Sequence, residues 1–145
     1  MRFSTKEQYG LRAMAELAQR HGRGPVALAD IAEAQGLSLP YLEQIVASLR
    51  RAGLVQSTRG ARGGYELARI PESITAGDVI RALEGSILPI RCVSDCGITF
   101  CEREDSCATR SVWEQVRDRL IETLDSITLA DLREPKERGK PTTAS

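Results

Sequence analysis

The residues best equipped for chemistry are four thiols, Cys92, Cys96, Cys101 and Cys107, which fall within RCVSDCGITFCEREDSC at residues 91–107 and are all the cysteines of the chain. The gaps between them are three, four and five residues. Thiolates are soft donors suited to iron–sulfur clusters and zinc, and paired thiols can also cycle to a disulfide. The absence of a Cys-x-x-Cys pair weakens a zinc ribbon and a thioredoxin-like couple. Spacing alone therefore leaves four readings open: an iron–sulfur cluster, which leads, a structural zinc, a thiol–disulfide switch, or free cysteines. Nothing else in the chain resembles a catalytic constellation. The single histidine, His21, has no metal-ligating neighbour in sequence and reads as a solvated residue near a helix end. The glycine-rich RGARGG at residues 59–64 lacks the Lys-Ser/Thr of a phosphate-binding loop, so no enzyme is expected.

Composition limits what can position these thiols. With 145 residues, 41% hydrophobic, 4% aromatic and 28% charged, the chain suits one soluble, helix-rich domain with room for an oligomerising arm. The N-terminal MRFSTKEQYG has no apolar run, and no later run approaches a bilayer span, so a cytoplasmic protein without a membrane partner is expected. In that compartment clustered cysteines favour a metal or redox site over a disulfide framework. The net charge is zero but unevenly distributed. Residues 1–70 carry ten Lys/Arg against six Asp/Glu, or +4, and residues 71–145 carry ten against fourteen, or −4. Only the first half has the charge to face nucleic acid.

The basic half reads as a sequence of short elements. Ser4 and Glu7 have capping-box spacing, which starts a helix near Thr5; Tyr9, Ala13, Met14 and Leu17 share its inner face, and His21-Gly22 should stop it. Leu28, Ile31 and Ala32 form the apolar face of a second helix ending at Gln35-Gly36. Ser38 then caps a third helix with Pro40 in its first turn. Leu42, Ile45, Val46 and Leu49 make the core face of that helix, leaving Ser38, Pro40, Tyr41, Glu43, Gln44 and Ser48 outward. Those side-chain types can bond base edges and phosphates, as expected of the second helix of a helix-turn-helix on double-stranded DNA. Leu54–Ser57 and Tyr65–Leu67 read as two strands flanking the glycine-rich tip. A basic hairpin after a recognition helix is a wing, with Arg59 or Arg62 placed to enter a minor groove and the glycines allowing close backbone approach.

In the acidic half, Thr75 caps a helix that Gly85 ends. After the cysteine loop, Trp113, Val116, Leu120, Leu124 and Ile127 form a nearly heptad apolar stripe, which predicts a long dimerisation helix. The organisation is then a winged helix-turn-helix over 1–86, a cysteine-rich loop over 87–108, a dimerisation helix over 109–132 and a disordered, Pro-containing tail over 133–145. The fold class is mainly α with a small β-hairpin.

The strings SLPYLEQIVASLRRAGLV, STRGARGGYELA and ITAGDVIRALEG resemble the Rrf2 family of bacterial winged-helix regulators, from Met1 to about Leu132. The resemblance is nearest to the IscR-like, iron–sulfur branch. It implies a homodimer on a partly palindromic operator, with the segment of Ser38, Pro40, Tyr41, Glu43 and Gln44 at the major groove and Arg59 in or near the minor groove; Arg50 and Arg62 complete the expected DNA-binding set. It also implies a cluster, 2Fe–2S ahead of 4Fe–4S, held by Cys92, Cys101 and Cys107 and followed shortly by the helix residue Trp113. Two features depart from the branch. Arg110 stands where IscR-like members have a histidine ligand, and Cys96 is extra. A fourth ligand then comes from Cys96 or from a carboxylate such as Glu7 of the partner subunit, as in NsrR-like members. The competing expectation is a cofactor-free, or thiol- or zinc-dependent, regulator of the CymR type acting on cysteine or sulfur metabolism.

Overall fold

The computed structural model describes residues 3–85 and 108–133. The expected ligands Cys92, Cys96, Cys101 and Cys107 and the expected disordered tail lie outside the described residues, apart from Arg133.

Helix α1 (Thr5–Gln19) begins at the expected capping box: Glu7 N–H donates to Ser4 Oγ at 3.2 Å, and Ser4 N–H donates to Glu7 Oε2 at 3.1 Å. It ends earlier than His21-Gly22. His21 N–H turns back to the Ala18 carbonyl, an i to i+3 bond that tightens the last turn and leaves Arg20 as the cap. Helix α2 (Leu28–Gln35) stops at Gly36, whose φ of 66° is the left-handed cap. Helix α3 (Leu39–Arg51) starts at Ser38, whose Oγ accepts the Tyr41 N–H at 3.3 Å, with Pro40 in the first turn.

Strands β1 (Val55–Thr58) and β2 (Gly64–Leu67) pair antiparallel, Val55 opposite Leu67 and Thr58 opposite Gly64. The hairpin has a third partner that the periodicity did not announce. Val26 forms an isolated antiparallel bridge with Tyr65, each N–H donating to the other's carbonyl at 2.8 Å. Gly64 makes this possible, because a Cβ there would overlap the Val26 carbonyl. At the hairpin's base, Leu54 N–H bonds the Leu49 carbonyl and Ala68 N–H bonds the Leu54 carbonyl, both at 3.0 Å, which fastens the hairpin to the end of α3.

Helix α4 (Ala76–Glu84) opens on a second capping box, Thr75 with Asp78, and closes the core with Val79, Ile80 and Leu83. Met14, Ile31, Leu42, Ile45, Leu49 and Val79 are solvent-free at the centre, drawn from all four helices. Each such side chain contributes on the order of 1.5–3 kcal/mol by burial.

Helix α5 (Arg110–Ser126) leaves this core: none of its residues is buried. It is also shorter than expected, because Ile127 is extended and the chain doubles back. Ala76 N–H donates to the Ile127 carbonyl at 2.8 Å, and Leu129 N–H donates to the Ile74 carbonyl at 2.9 Å. Leu129 is thereby carried into the core, fully buried. A third capping pair starts the short turn that follows, with Thr128 N–H on Asp131 Oδ2 at 3.0 Å and Asp131 N–H on Thr128 Oγ1 at 3.3 Å. Ile127 therefore belongs to this return segment and not to the helical stripe.

Candidate nucleic-acid interface

The outer side of α3 is polar and open. Ser38, Pro40, Glu43, Gln44 and Arg50 are exposed, and the side chains of Glu43, Gln44 and Arg50 have no hydrogen-bond or ion-pair partner among the described residues. Arg59 and Arg62 are exposed at the hairpin tip and are likewise unpartnered among the described residues. The outer side of α3 and the hairpin tip thus present an amide, a carboxylate and three guanidiniums without hydrogen-bond or ion-pair partners among the described residues. An amide can pair with adenine, a carboxylate can accept from cytosine N4, and guanidiniums can bond guanine, phosphate or a narrow minor groove.

Two residues expected on that face stand differently. Tyr41 is half-buried, its ring edge-on to Tyr9 with centroids 5.9 Å apart and planes at 82°, because its position lies on the flank of α3 that meets α1. Ser48 is half-buried, and its hydroxyl is engaged within α3: it donates to the Gln44 carbonyl at 3.4 Å and accepts from exposed Arg51 at 3.2 Å. The glycines of the tip also have an internal role, since Gly63 and Gly64 admit backbone atoms of the protein itself.

A polar network secures the turn before α3. Arg12 on α1 donates from Nη2 to the Gln35 carbonyl at 2.7 Å and from Nε to Gln35 Oε1 at 3.1 Å. Gln35 Nε2 in turn donates to Glu16 Oε2 at 3.0 Å, and Glu16 is paired with Arg20 at 2.7 Å.

Helix α5 is latched to α4. Arg81 holds the Asp125 carboxylate bidentately, at 2.8 and 3.0 Å, and Thr75 Oγ1 reaches the same carboxylate at 3.5 Å. The Arg81 hydrogen bond is the main reason the Asp125 carboxyl titrates below its ordinary range, outweighing the opposing effect of burial. The carboxylate sits directly over Gly77, where a Cβ would overlap Asp125 Oδ1 and displace that side chain.

Of the expected metal ligands only Glu7 is described. Its Oε2 accepts the Ser4 N–H, and its carboxyl is pushed up chiefly by burial, with the Ser4 amide opposing and the Glu84 charge adding to the rise. Arg110 is tied to Glu114 at 2.8 Å and has no lone pair to offer a metal. Among the described residues no three His, Cys, Asp or Glu side chains converge to hold a metal ion. Among them, too, no helix is long and apolar enough to cross a membrane.

A helix-turn-helix packed on α1 and α4, followed at once by a basic two-stranded wing, defines a winged-helix DNA-binding protein. The comparisons with known proteins narrow the class. The family model described as "Rrf2: Iron-dependent Transcriptional regulator" matches residues 3–135. The chain is 50% identical over 132 residues to the HTH-type transcriptional regulator CymR of Bacillus subtilis (strain 168), covering 91% of this chain and 89% of that one. It is 44% identical to the HTH-type transcriptional regulator IscR of Escherichia coli O1:K1 / APEC, over 91% of this chain and 80% of the relative. The solved structure of T. potens IscR superposes with a TM-score of 0.75 at 53% identity, covering 91% of this chain and 85% of that chain. This chain belongs to the Rrf2 family: it is a DNA-binding transcriptional regulator, not an enzyme.

Val26 and Leu129 were legible only in part. Val26 is one apolar residue after Gly24-Pro25, too short a run to declare a strand. Leu129 sits in Thr128-Leu-Ala-Asp131, whose capping spacing was the available signal that the long helix had already ended.

Proposed function

We propose that the chain acts as a homodimer on a partly palindromic operator, with an iron–sulfur cluster held by Cys92, Cys101 and Cys107 modulating its DNA affinity. Glu43 and Gln44, with Ser38 and Pro40, face the major groove; Arg50 holds phosphate; Arg59 and Arg62 reach the minor groove. Tyr41 serves by its packing against Tyr9. The half-buried and exposed apolar residues Trp113, Val116, Leu120 and Leu124 of α5 form the dimer contact. Two heads on one duplex must meet major grooves about 34–36 Å apart, so a change at the base of α5 alters how well both fit at once.

The single observation that carries the cluster is the set of four thiols within 16 residues in a chain matched by an iron-dependent family. Thiolates are the donors such clusters take, and a bound cluster would supply one-electron redox chemistry. The fourth ligand is Cys96 or the partner's Glu7, since Arg110 is excluded. In Glu7 one oxygen remains without a hydrogen bond among the described residues.

The 50% identity to B. subtilis CymR favours a second reading, in which the same fold acts without a cluster on cysteine or sulfur metabolism. That protein's solved structure is described as the global cysteine regulator. Iron and acid-labile sulfide per dimer, with a visible spectrum, on protein purified without oxygen, separate the two. Near-stoichiometric iron and sulfide support the first reading; zinc or free thiols in their place reject it and leave the second.

A further inference from the structure

The polar network at the helix-turn-helix turn has a use beyond holding α1 to α2. The Gln35 carbonyl is one of the last carbonyls of α2, left without a helical partner, and it accepts the 2.7 Å bond from Arg12 at the negative end of that helix. The same guanidinium lies 5.4 Å from the centroid of Tyr9, whose ring meets Tyr41 in the first turn of α3. Arg12 therefore bonds one end of the turn before α3, at Gln35, and is linked to the other, at Tyr41, through Tyr9. Gln35 is held through its side-chain amide as well, by Glu16.

We infer that Arg12 is a positioning residue for operator recognition, acting on the pitch of α3 and not by contact with DNA. This rests on the reading of α3 as the helix that enters the major groove. A bidentate, ring-stacked guanidinium is not replaced by an ammonium, which keeps the charge and loses the fork.

The test compares Arg12→Lys and Glu16→Gln with Gln44→Ala in the full-length protein. An operator selected from a random DNA pool by the wild-type chain and a scrambled duplex of equal length are titrated over a range of salt. Arg12→Lys should weaken operator binding about three- to tenfold, with scrambled-duplex affinity and salt slope unchanged, and Glu16→Gln should do the same less strongly. A merely stabilising role would lower the melting temperature and reduce binding to both duplexes alike, overturning the inference. Because lysine keeps the charge, Arg12→Gln is titrated as well: a fall on both duplexes with a shallower salt slope in that variant would also overturn the inference, making Arg12 a phosphate contact. If Gln44→Ala leaves discrimination intact, the recognition-helix reading itself fails. If only Gln44→Ala affects discrimination, the role of Arg12 alone is rejected.

Discussion

Helices α3 and α5 are both amphipathic, 13 and 17 residues long, yet α3 submerges Leu42, Ile45, Val46 and Leu49 whereas α5 buries nothing. Trp113 remains 37% exposed and Val112 52% exposed on α5. An apolar groove runs along Val116, Leu120 and Leu124 to Phe3. The contrast separates two sources of helix stability. The winged head supplies its own covering surfaces for the apolar side of α3, and the outer side stays open. Among the described residues the arm is tied to the head by Arg81, Thr75 and the return through Leu129, and its open stripe is the surface that the proposed dimer would cover.

The contrast is broken most sharply by truncating each stripe. Leu49→Ala should destabilise the head by about 2–5 kcal/mol in urea unfolding, since it opens a cavity in a close-packed core. Leu120→Asp should leave the head's unfolding at limiting dilution unchanged while weakening the dimer on the order of a hundredfold in sedimentation equilibrium, because it places a charge in the apolar seam. A monomeric head that unfolds with α5 would instead show the stripe to be intramolecular. At the joint between the two regions, Gly77→Ala should displace the Asp125 carboxylate from Arg81, and because alanine favours the helix by about 1 kcal/mol the net change should stay within about 1 kcal/mol, turning to a gain when the same substitution is made on an Asp125→Ala background.

The smallest expected effect is electrostatic. The Asp125 carboxyl has a lowered value in the folded protein, so its contribution is complete at pH values above the unfolded carboxyl's ordinary value of about 3.9 and disappears as pH falls through the depressed folded value. The pair is partly exposed, with side-chain exposures of 30% for Arg81 and 39% for Asp125, which holds the gain to roughly 0.5–1 kcal/mol. Asp125→Asn should therefore lower stability slightly near pH 7, and the gap from wild type should close below about pH 4. A gap that persists to pH 2 would mean that shape, not charge, fixes the latch.

The head was readable from sequence because its signals are local. Ser4 with Glu7, Ser38 with Pro40, and Thr75 alone each mark a helix start within a few residues, and the 3.6-residue period picks out the core faces. What escaped was non-local. The Val26 bridge depends on an approach to Gly64 from far along the chain, and the end of α5 depends on Ile127 and Leu129 finding backbone partners around Ile74 and Ala76. Periodicity ran through Ile127 because an apolar residue due at a helical position can equally be taken by an extended segment. Tyr41 shows the same limit within the interface. Its residue type suits a duplex, but its place on the helix circumference faces Tyr9.

The central claim is that the thiol segment governs the DNA affinity of the head, and one comparison tests it most directly. The anaerobically purified wild type and the Cys92→Ala, Cys101→Ala, Cys107→Ala triple variant are titrated against the same selected operator and against scrambled duplex at fixed salt. The account predicts a change in operator affinity, with scrambled-duplex binding and the head's melting temperature unaltered. Identical operator affinity in the two proteins would contradict it and make the chain a winged-helix regulator whose cysteines do not control DNA binding.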